Sequence, residues 1–163
     1  MPSSRFNPAA FIKFEKDFNR AIKVSLDQGA DKVVQNVDNN FRNKSFFGKK
    51  WPANTLGTPI LVKSGRLRAS VRVLDSKQSS RLIGTRLEYA STHNDGKTFR
   101  NTEAQIGFFW AMYNKTKNPL WKNCAIKLER GGRIVIPKRQ FIGKHSKNDR
   151  DIKNITIKNL KKI

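Results

Sequence analysis

Few residues in this sequence could perform chemistry by their type and spacing. His93 and Asp95 lie two positions apart, which is the nearest approach to an acid–base pair, yet Asn94-Asp95-Gly96 is typical of a turn. His145 and the single Cys124 have no second ligand or activating base at a recognisable spacing. No phosphate-binding loop and no nucleophile elbow is present. The sequence therefore predicts no catalytic set, no metal site and no cofactor, and we expect a protein that is not an enzyme.

The charge of the chain is its most unusual property. It contains 34 Lys and Arg against 12 Asp and Glu, a formal net charge of +22. Residues 1–40 contribute +1 of this and residues 41–163 contribute +21. Nucleic acid is the common partner of such a surface, through its phosphates, and acidic neighbouring proteins would neutralise it as well. A nuclease is disfavoured because residues 41–163 hold only seven carboxylates.

Length and composition indicate one domain. With 163 residues, 37% of them hydrophobic, the chain can bury a core without disulfides. No apolar run is long enough to cross a membrane and residues 1–4 lead into no secretory signal, so we expect a cytoplasmic protein with no membrane partner. The predicted domain comprises an N-terminal helical segment (1–42), an aromatic loop (43–63), a β-rich core (64–143) and a C-terminal helix (144–163).

A long helix is predicted over residues 8–42. Asn7 is a good N-cap, Pro8 suits the first helical position, and apolar residues recur every three or four positions from Phe11 to Phe41. At about 1.5 Å per residue this helix would span roughly 52 Å, whereas a globule of this size has a radius of gyration of only ~15 Å. Either Gly29 breaks the helix, or another subunit completes its apolar stripe.

The remaining chain predicts mainly strands. Val71–Leu74 and Arg81–Leu87 should form a hairpin, with Gly84 permitting a bulge or a close backbone contact. Cys124–Glu129 and Arg133–Pro137 should form a second hairpin around two glycines. The expected fold class is α+β, with a long N-terminal helix, an antiparallel sheet of about four strands and a C-terminal helix.

Three further features fall outside this pattern of strands. Phe46, Phe47 and Trp51 should anchor the 43–63 loop to the core, although aromatics among basic residues also suit single-stranded nucleic acid. The aromatic run 105–113 is either a core strand or an exposed contact surface. Ser146 should cap the last helix, with a carboxylate three residues later.

Three stretches, in this order, resemble the phage virion morphogenesis family, the tail-completion or neck proteins of tailed bacteriophages. They are Ser64-Gly65-Arg66-Leu67-Arg68-Ala69-Ser70-Val71, then Gly84-Thr85 with Tyr89-Ala90-Ser91-Thr92-His93-Asn94-Asp95-Gly96, and then Ile136-Pro137-Lys138-Arg139-Gln140-Phe141-Ile142-Gly143. The aromatic loop 46–52 is also similar. Residues 97–132 depart from the resemblance, because this stretch is longer and more aromatic than the family pattern.

The resemblance implies a structural α+β subunit of the virion that assembles in the host cytoplasm. It would form a ring of six copies at the neck, between the head–tail connector and the tail tube or terminator proteins, with genomic DNA passing through its channel. The alternative is a non-enzymatic, basic nucleic-acid-binding protein. If the ring surrounds DNA that must pass, we expect much of the charge to face acidic proteins or solvent.

The resemblance also implies roles for the motif residues, which should determine the fold. Gly65 and Gly84 would give backbone freedom, Leu67, Tyr89 and Phe141 would pack, and Pro137 would end a strand. The full motif set is Ser64, Gly65, Leu67, Ser70, Gly84, Tyr89, Ala90, Gly96, Pro137, Arg139, Phe141 and Gly143. The basic residues nearest the motifs are candidates for contact with DNA or a partner protein: Arg66, Arg68, Lys138 and Arg139.

Overall fold

The computed structural model describes residues 7–53, 61 and 64–163. Parts of the predicted N-terminal segment and of the 43–63 loop therefore lie outside the described residues. The elements, in chain order, are α1 (Pro8–Asn43), β1 (Ser45–Phe46), β2 (Lys49–Lys50), α2 (Arg66–Ser70), β3 (Arg72–Ser76), β4 (Arg81–Gly84), α3 (Tyr89–Asp95), β5 (Lys97–Phe99), α4 (Glu103–Thr116), α5 (Pro119–Glu129), β6 (Ile134–Ile136) and α6 (Ser146–Leu160). The α+β class and both terminal helices are as predicted.

Helix α1 is continuous and begins where the sequence predicts. The side-chain oxygen of Asn7 accepts hydrogen bonds from the backbone N–H groups of Ala9 and Ala10, and Pro8 occupies the first turn. Gly29 does not break the helix. A Cβ at Gly29 would lie 3.3 Å from Cγ1 of Ile152 in α6, so the glycine instead allows the two helices to approach closely. The long-helix alternative is the one the structure adopts.

Helices α1 and α6 pack antiparallel through buried polar pairs. The side-chain amide of Asn36 donates to Oδ1 of Asn148 at 2.9 Å. Eleven residues earlier on α1, Ser25 Oγ accepts from the amide of Asn159 at 3.1 Å. Since buried polar groups need partners, these pairs fix the sliding register of the helices.

The predicted sheet of about four strands is wrong. Within the described residues the strands form three separate two-stranded antiparallel ribbons, β1–β2, β3–β4 and β5–β6. The β3–β4 hairpin is confirmed, with Arg72 opposite Gly84, Ser76 opposite Arg81 and an irregularity between Val73 and Asp75. The β1–β2 and β3–β4 ribbons pack against α1, and no ribbon pairs with another in the described part of the chain, so no common sheet forms there.

The second predicted hairpin is also wrong. Residues 124–129 belong to α5, whose start is marked by the N-cap Asn118 and by Pro119 at the first position. The partner of β6 is β5, with Lys97 opposite Ile136 and Phe99 opposite Ile134. A short apolar run does not distinguish a strand from a buried helix segment, and here the cap signal was the better guide.

Local helices replace extended chain at three other places. The aromatic run 105–113 lies in α4. At the start of this helix, the side chains of Thr102 and Gln105 each accept a hydrogen bond from the backbone N–H of the other residue. Residues 66–70 and 89–95 are short helices, and the turn expected at Asn94-Asp95-Gly96 lies at the end of the second one. The cap of α6 is His145, one residue before the predicted Ser146, and its Nδ1 accepts from the N–H of Lys147.

Candidate assembly surfaces

The three motif stretches converge on one hydrophobic core. Phe41 of α1 and Phe141 of the third motif are 0% and 1% exposed, and their ring centroids lie 5.0 Å apart. Leu67 of the first motif and Ala90 of the second are buried in the same cluster. Trp51 contacts Phe41 edge-on at 5.6 Å, which confirms that this tryptophan anchors its loop. The motifs therefore meet in the folded chain although about 70 residues separate them in sequence.

Side-chain amides and an indole hold the backbone of the third motif. Oδ1 of Asn94 accepts from the N–H groups of Phe141 and Ile142 at 3.1 and 3.2 Å. The amide of Asn40 donates to the carbonyl of Phe141 at 3.2 Å, and Nε1 of Trp51 donates to the carbonyl of Gln140 at 2.6 Å. This segment carries no regular secondary structure, so these side chains satisfy backbone groups that a helix or strand would otherwise satisfy.

Two of the four candidate contact arginines and lysines are engaged within the chain. Arg139 is buried, and its guanidinium donates to the carbonyls of Pro52 and Ala53 at 3.1 and 3.3 Å. Burial lowers the pKa of Arg139. Arg68 forms a two-pronged ion pair with Asp38 of α1. The hydrogen bond raises the pKa of Arg68 and lowers the pKa of Asp38. Both residues thus stabilise the fold.

Arg66 and Lys138, in contrast, have exposed side chains. They remain candidates for contact with DNA or a partner protein. Ion pairing is scarce elsewhere as well: in the described ranges, three arginines have a carboxylate within 4.0 Å, namely Arg42, Arg68 and Arg81. Most of the positive charge is therefore not neutralised inside the described part of the chain.

Different structural constraints favour glycine at the glycine positions of the motifs. Gly65 and Gly96 have φ values of 66° and 77°, which glycine adopts without strain. A Cβ at Gly96 would also lie 2.8 Å from the backbone nitrogen of Lys138, so this glycine lets the second motif touch the third. Gly84 has no positive φ; a Cβ there would be 3.1 Å from Leu74 Cδ1, so close packing replaces the predicted backbone freedom.

The other motif residues take ordinary positions around the core. Ser70 Oγ shares a hydrogen bond of 2.7 Å with Thr85 Oγ1, and Ser64 Oγ accepts from the N–H of Arg66. Pro137 follows β6 directly and Gly143 precedes α6. Tyr89 is 41% exposed and its ring contacts the ring of His93 edge-on at 6.0 Å, so it packs at the margin of the core and not inside it.

His93 and Asp95 do not form an acid–base pair. Burial, and to a smaller extent the nearby Arg139, lowers the pKa of His93, so its ring is neutral at pH 7. Oδ1 of Asp95 accepts from the neighbouring Asn94. The carbonyl of His93 accepts from the N–H of Arg139 at 2.8 Å, which is a structural contact. In the described part of the chain, no three His, Cys, Asp or Glu side chains are grouped as metal ligands, and no helix there is long and apolar enough to span a membrane.

A first apolar surface lies on the N-terminal part of α1. The two polar pairs between α1 and α6 share one antiparallel register, which places Leu160, the last residue of α6, level with Val24. Residues 8–20, which we call the helix overhang, therefore lie beyond the end of α6, and the start of α1 is more than about 20 Å past it. Phe14 and Phe18 stack on each other there at 6.1 Å, and Phe14 is 54% exposed. The overhang thus presents an apolar stripe that α6 does not cover.

A second apolar surface belongs to an arm formed by residues 97–136. The β5–β6 ribbon is its stem, and α4 and α5 form a helical hairpin that packs chiefly on itself. A groove of about 550 Å³, the arm groove, lies between α5 and β6. Its apolar lining includes Leu120, Cys124, Val135 and Pro137. This arm is the stretch that departs most from the family pattern in sequence.

Sequence reasoning missed several residues that shape these features. The sequence predicts only a turn at Asn94, whereas its side chain bonds to the backbone of the third motif. It predicts no contact for Asn40 or Asp38, which bond to Phe141 and Arg68. The signal for Asn40 was present: Ser25, Asn36 and Asn40 interrupt the apolar face of α1 at helical spacing. Polar residues on a buried helix face predict partners on another element, although the sequence does not identify those partners.

These features are those of a structural protein: a fully packed motif core, polar groups used to fix backbone, and apolar surfaces on projecting elements. The sequence model of the phage virion morphogenesis family matches residues 48–161. The chain therefore belongs to the phage virion morphogenesis family, which confirms the resemblance carried by its three motifs. No curated protein and no solved structure matches the chain. The helix overhang lies outside the matched residues, and the arm lies within them.

Proposed function

We propose that this protein is a ring-forming neck or tail-completion subunit, which joins the head connector to the tail around the DNA channel. Membership of the phage virion morphogenesis family supports a structural role in the virion. The observation that carries the proposal further is the helix overhang, because an exposed apolar stripe on a projecting helix is costly in water and is covered when subunits associate.

The position of the second apolar surface supports a closed assembly. No described residue of α1 lines the arm groove of its own chain, so the overhang and the groove are two separate surfaces. Two different surfaces that bind each other join copies head to tail, and such contacts generate rings when the rotation closes.

Native mass spectrometry of the nuclease-treated protein, at moderate and high salt, tests this proposal. We expect a single discrete oligomer whose mass is a multiple of the subunit and which survives the removal of nucleic acid. Antibody labelling of intact particles should then place the protein at the head–tail joint. A monomer under all conditions, or label elsewhere on the particle, would contradict the proposal.

A basic nucleic-acid-binding protein is the second candidate function. It is favoured by the charge of +21 in residues 41–163 and by the scarcity of ion pairs. On the arm, the ammonium groups of Lys117 and Lys122 each lie 5.8 Å from the ring centre of Tyr113, a mixture of cations and an aromatic ring that suits single strands. This candidate predicts that affinity for DNA falls steeply with salt; a flat salt response would exclude it.

A further inference from the structure

We infer that the helix overhang of one subunit binds in the arm groove of a second copy of this chain. The inference rests on the proposed ring and specifies the contact that would close it.

The apolar stripe of the overhang has carboxylates on both of its sides. At 100° per residue, Phe14 and Phe18 lie 40° apart, and Glu15 and Asp17 flank them by about 60° on either side. The basic residues of the overhang lie on the opposite face of the helix. Glu15 is exposed, whereas Asp17 is half-buried and lines a pocket with Lys162 and Ile163. The overhang therefore presents an apolar face with carboxylates at its edges, although the whole chain is strongly cationic.

The arm groove has the opposite charge. Its lining includes the basic residues Lys127 and Arg133, and no carboxylate is among the described residues that line it. Arg139 also lines the groove, but it is buried and bonded to backbone carbonyls. Val135, in the wall formed by β6, is 63% exposed, and Leu120 of α5 is also exposed. An apolar groove with basic residues accepts a helix with an apolar face flanked by carboxylates.

This complementarity selects one occupant. Two grooves would repel each other through their lysines and arginines, and two overhangs would bring carboxylates together. The carboxylates that flank an exposed aromatic stripe are on this same chain. No described residue of α1 lines the groove of its own chain, and α1 is one continuous helix held against α6, so the overhang cannot bend into that groove. A second copy supplies both the apolar face and the charge that the groove needs.

The contact can be tested by disulfide cross-linking because the single native cysteine, Cys124, lines the groove. Two variants, Phe14→Cys and Phe18→Cys, place the new thiol one helical turn apart. The result then does not depend on the exact position of the overhang along the groove. Mild oxidation should convert either variant into a ladder of covalent oligomers on a non-reducing gel. The added change Cys124→Ala should abolish the ladder, since a disulfide requires Cα atoms within about 7 Å.

Matched controls separate this contact from random collision. Leu82→Cys introduces a thiol at an exposed apolar position of β4, 58% exposed and outside both surfaces. The unchanged chain carries Cys124 alone. We expect neither to give oligomers beyond traces of dimer. Ladders from Leu82→Cys as strong as those from Phe14→Cys would overturn the inference.

A mixing experiment gives an independent result. Phe14→Asp breaks the overhang face and Val135→Asp breaks the groove, so each variant alone should lose the oligomer in native mass spectra. Mixed together, they retain one intact overhang and one intact groove, and a 1:1 dimer that cannot grow further should appear. Leu82→Asp, the matched strand control, should retain the wild-type oligomer.

The outcomes distinguish this inference from the proposed function. If the wild type forms a ring and both variants retain it, the inference fails and the ring proposal stands. If the variants are monomeric and the mixture gives no dimer, the overhang and groove are not partners. If the wild type does not associate at all and no ladder forms, both the inference and the proposed ring fail.

Discussion

The motif core and the two apolar surfaces are built on opposite principles. In the core, Phe41 and Phe141 are fully buried, and Asn94, Asn40 and Trp51 supply hydrogen bonds to irregular backbone. In the helix overhang and the arm groove, aromatic and aliphatic side chains remain exposed and have cations or carboxylates beside them. The difference shows that most residues carrying the family resemblance hold the subunit together, whereas the exposed apolar side chains lie chiefly on the overhang and the arm. Pro137 and Arg139 belong to both groups, because they are motif residues that line the groove.

The largest expected effect is in the core. Phe141→Ala should reduce the free energy of unfolding by about 3–5 kcal/mol, because it removes a fully buried ring and leaves a cavity beside Phe41. Denaturant unfolding followed by circular dichroism measures this. Phe141→Leu, which refills part of the space, should recover a substantial part of the loss; a loss below 1 kcal/mol for the alanine variant would contradict this description of the core.

The next effect concerns the amide that holds the third motif. Asn94→Ala removes the acceptor for the N–H groups of Phe141 and Ile142 and should reduce stability by about 1–3 kcal/mol. Asn94→Asp keeps an acceptor oxygen at the same place and should lose less. Equal losses in the two variants would show that the hydrogen bonds are not the cause.

A smaller effect should appear as a dependence on pH. The hydrogen bond from Arg68, aided by Arg42, holds the pKa of Asp38 below its ordinary value of 3.8. A lowered pKa in the folded state means that the ionised carboxylate stabilises the fold above that value, and that this stabilisation is lost as the pH falls through the folded-state pKa. Because the pair is partly exposed, solvent screens it and its contribution to stability is small.

The comparison of Asp38→Asn with the wild type isolates this contribution. The difference in urea midpoint should be present at pH 7. It should shrink as the pH falls below about 4, where the carboxylate of the unfolded chain begins to bind a proton, and should disappear below the lowered pKa of the folded state. Asp31→Asn, at an exposed carboxylate on the same helix, is the matched control and should show little difference at either pH. A difference for Asp38→Asn that grows at low pH would reverse the assigned sign.

The smallest effect on stability is expected at the two surfaces. Phe14→Asp and Val135→Asp replace exposed side chains, so at concentrations where the chain is monomeric each should change the free energy of unfolding by no more than about 0.5 kcal/mol. Thermal or urea unfolding measures this. A loss as large as that of Phe141→Ala would show that these side chains belong to the core and would remove the contrast between the two regions.

Local signals in the sequence were sufficient for several elements. Asn7 and Pro8 marked the start of α1, and the polar turn between β3 and β4 marked their hairpin. The three motifs, in their order along the chain, were sufficient to identify the family. These predictions succeeded because caps, turns and short motifs depend on neighbouring residues, whose effect is the same wherever the segment lies in the fold.

Long-range contacts were not predictable in the same way. The pairing of β6 with β5 spans the whole helical hairpin of the arm, and the sequence offered a nearer partner in residues 124–129. From the sequence, the polar groups of Asn94 and Arg139 could face solvent or a ligand. In the folded chain they form hydrogen bonds to backbone groups of Phe141 and Pro52, because packing places them there. Such choices depend on which surfaces the assembled core buries.

The sequence by itself determined the α+β class, the two terminal helices, the excess of positive charge and the family. The tertiary structure alone decided that α1 is unbroken at Gly29, that α6 ends about 20 Å short of its start, and that residues 97–136 project as an arm with an open groove. The physical reason is that periodicity shows which helix face is apolar, whereas only the register of α1 against α6 shows how much of that face remains uncovered.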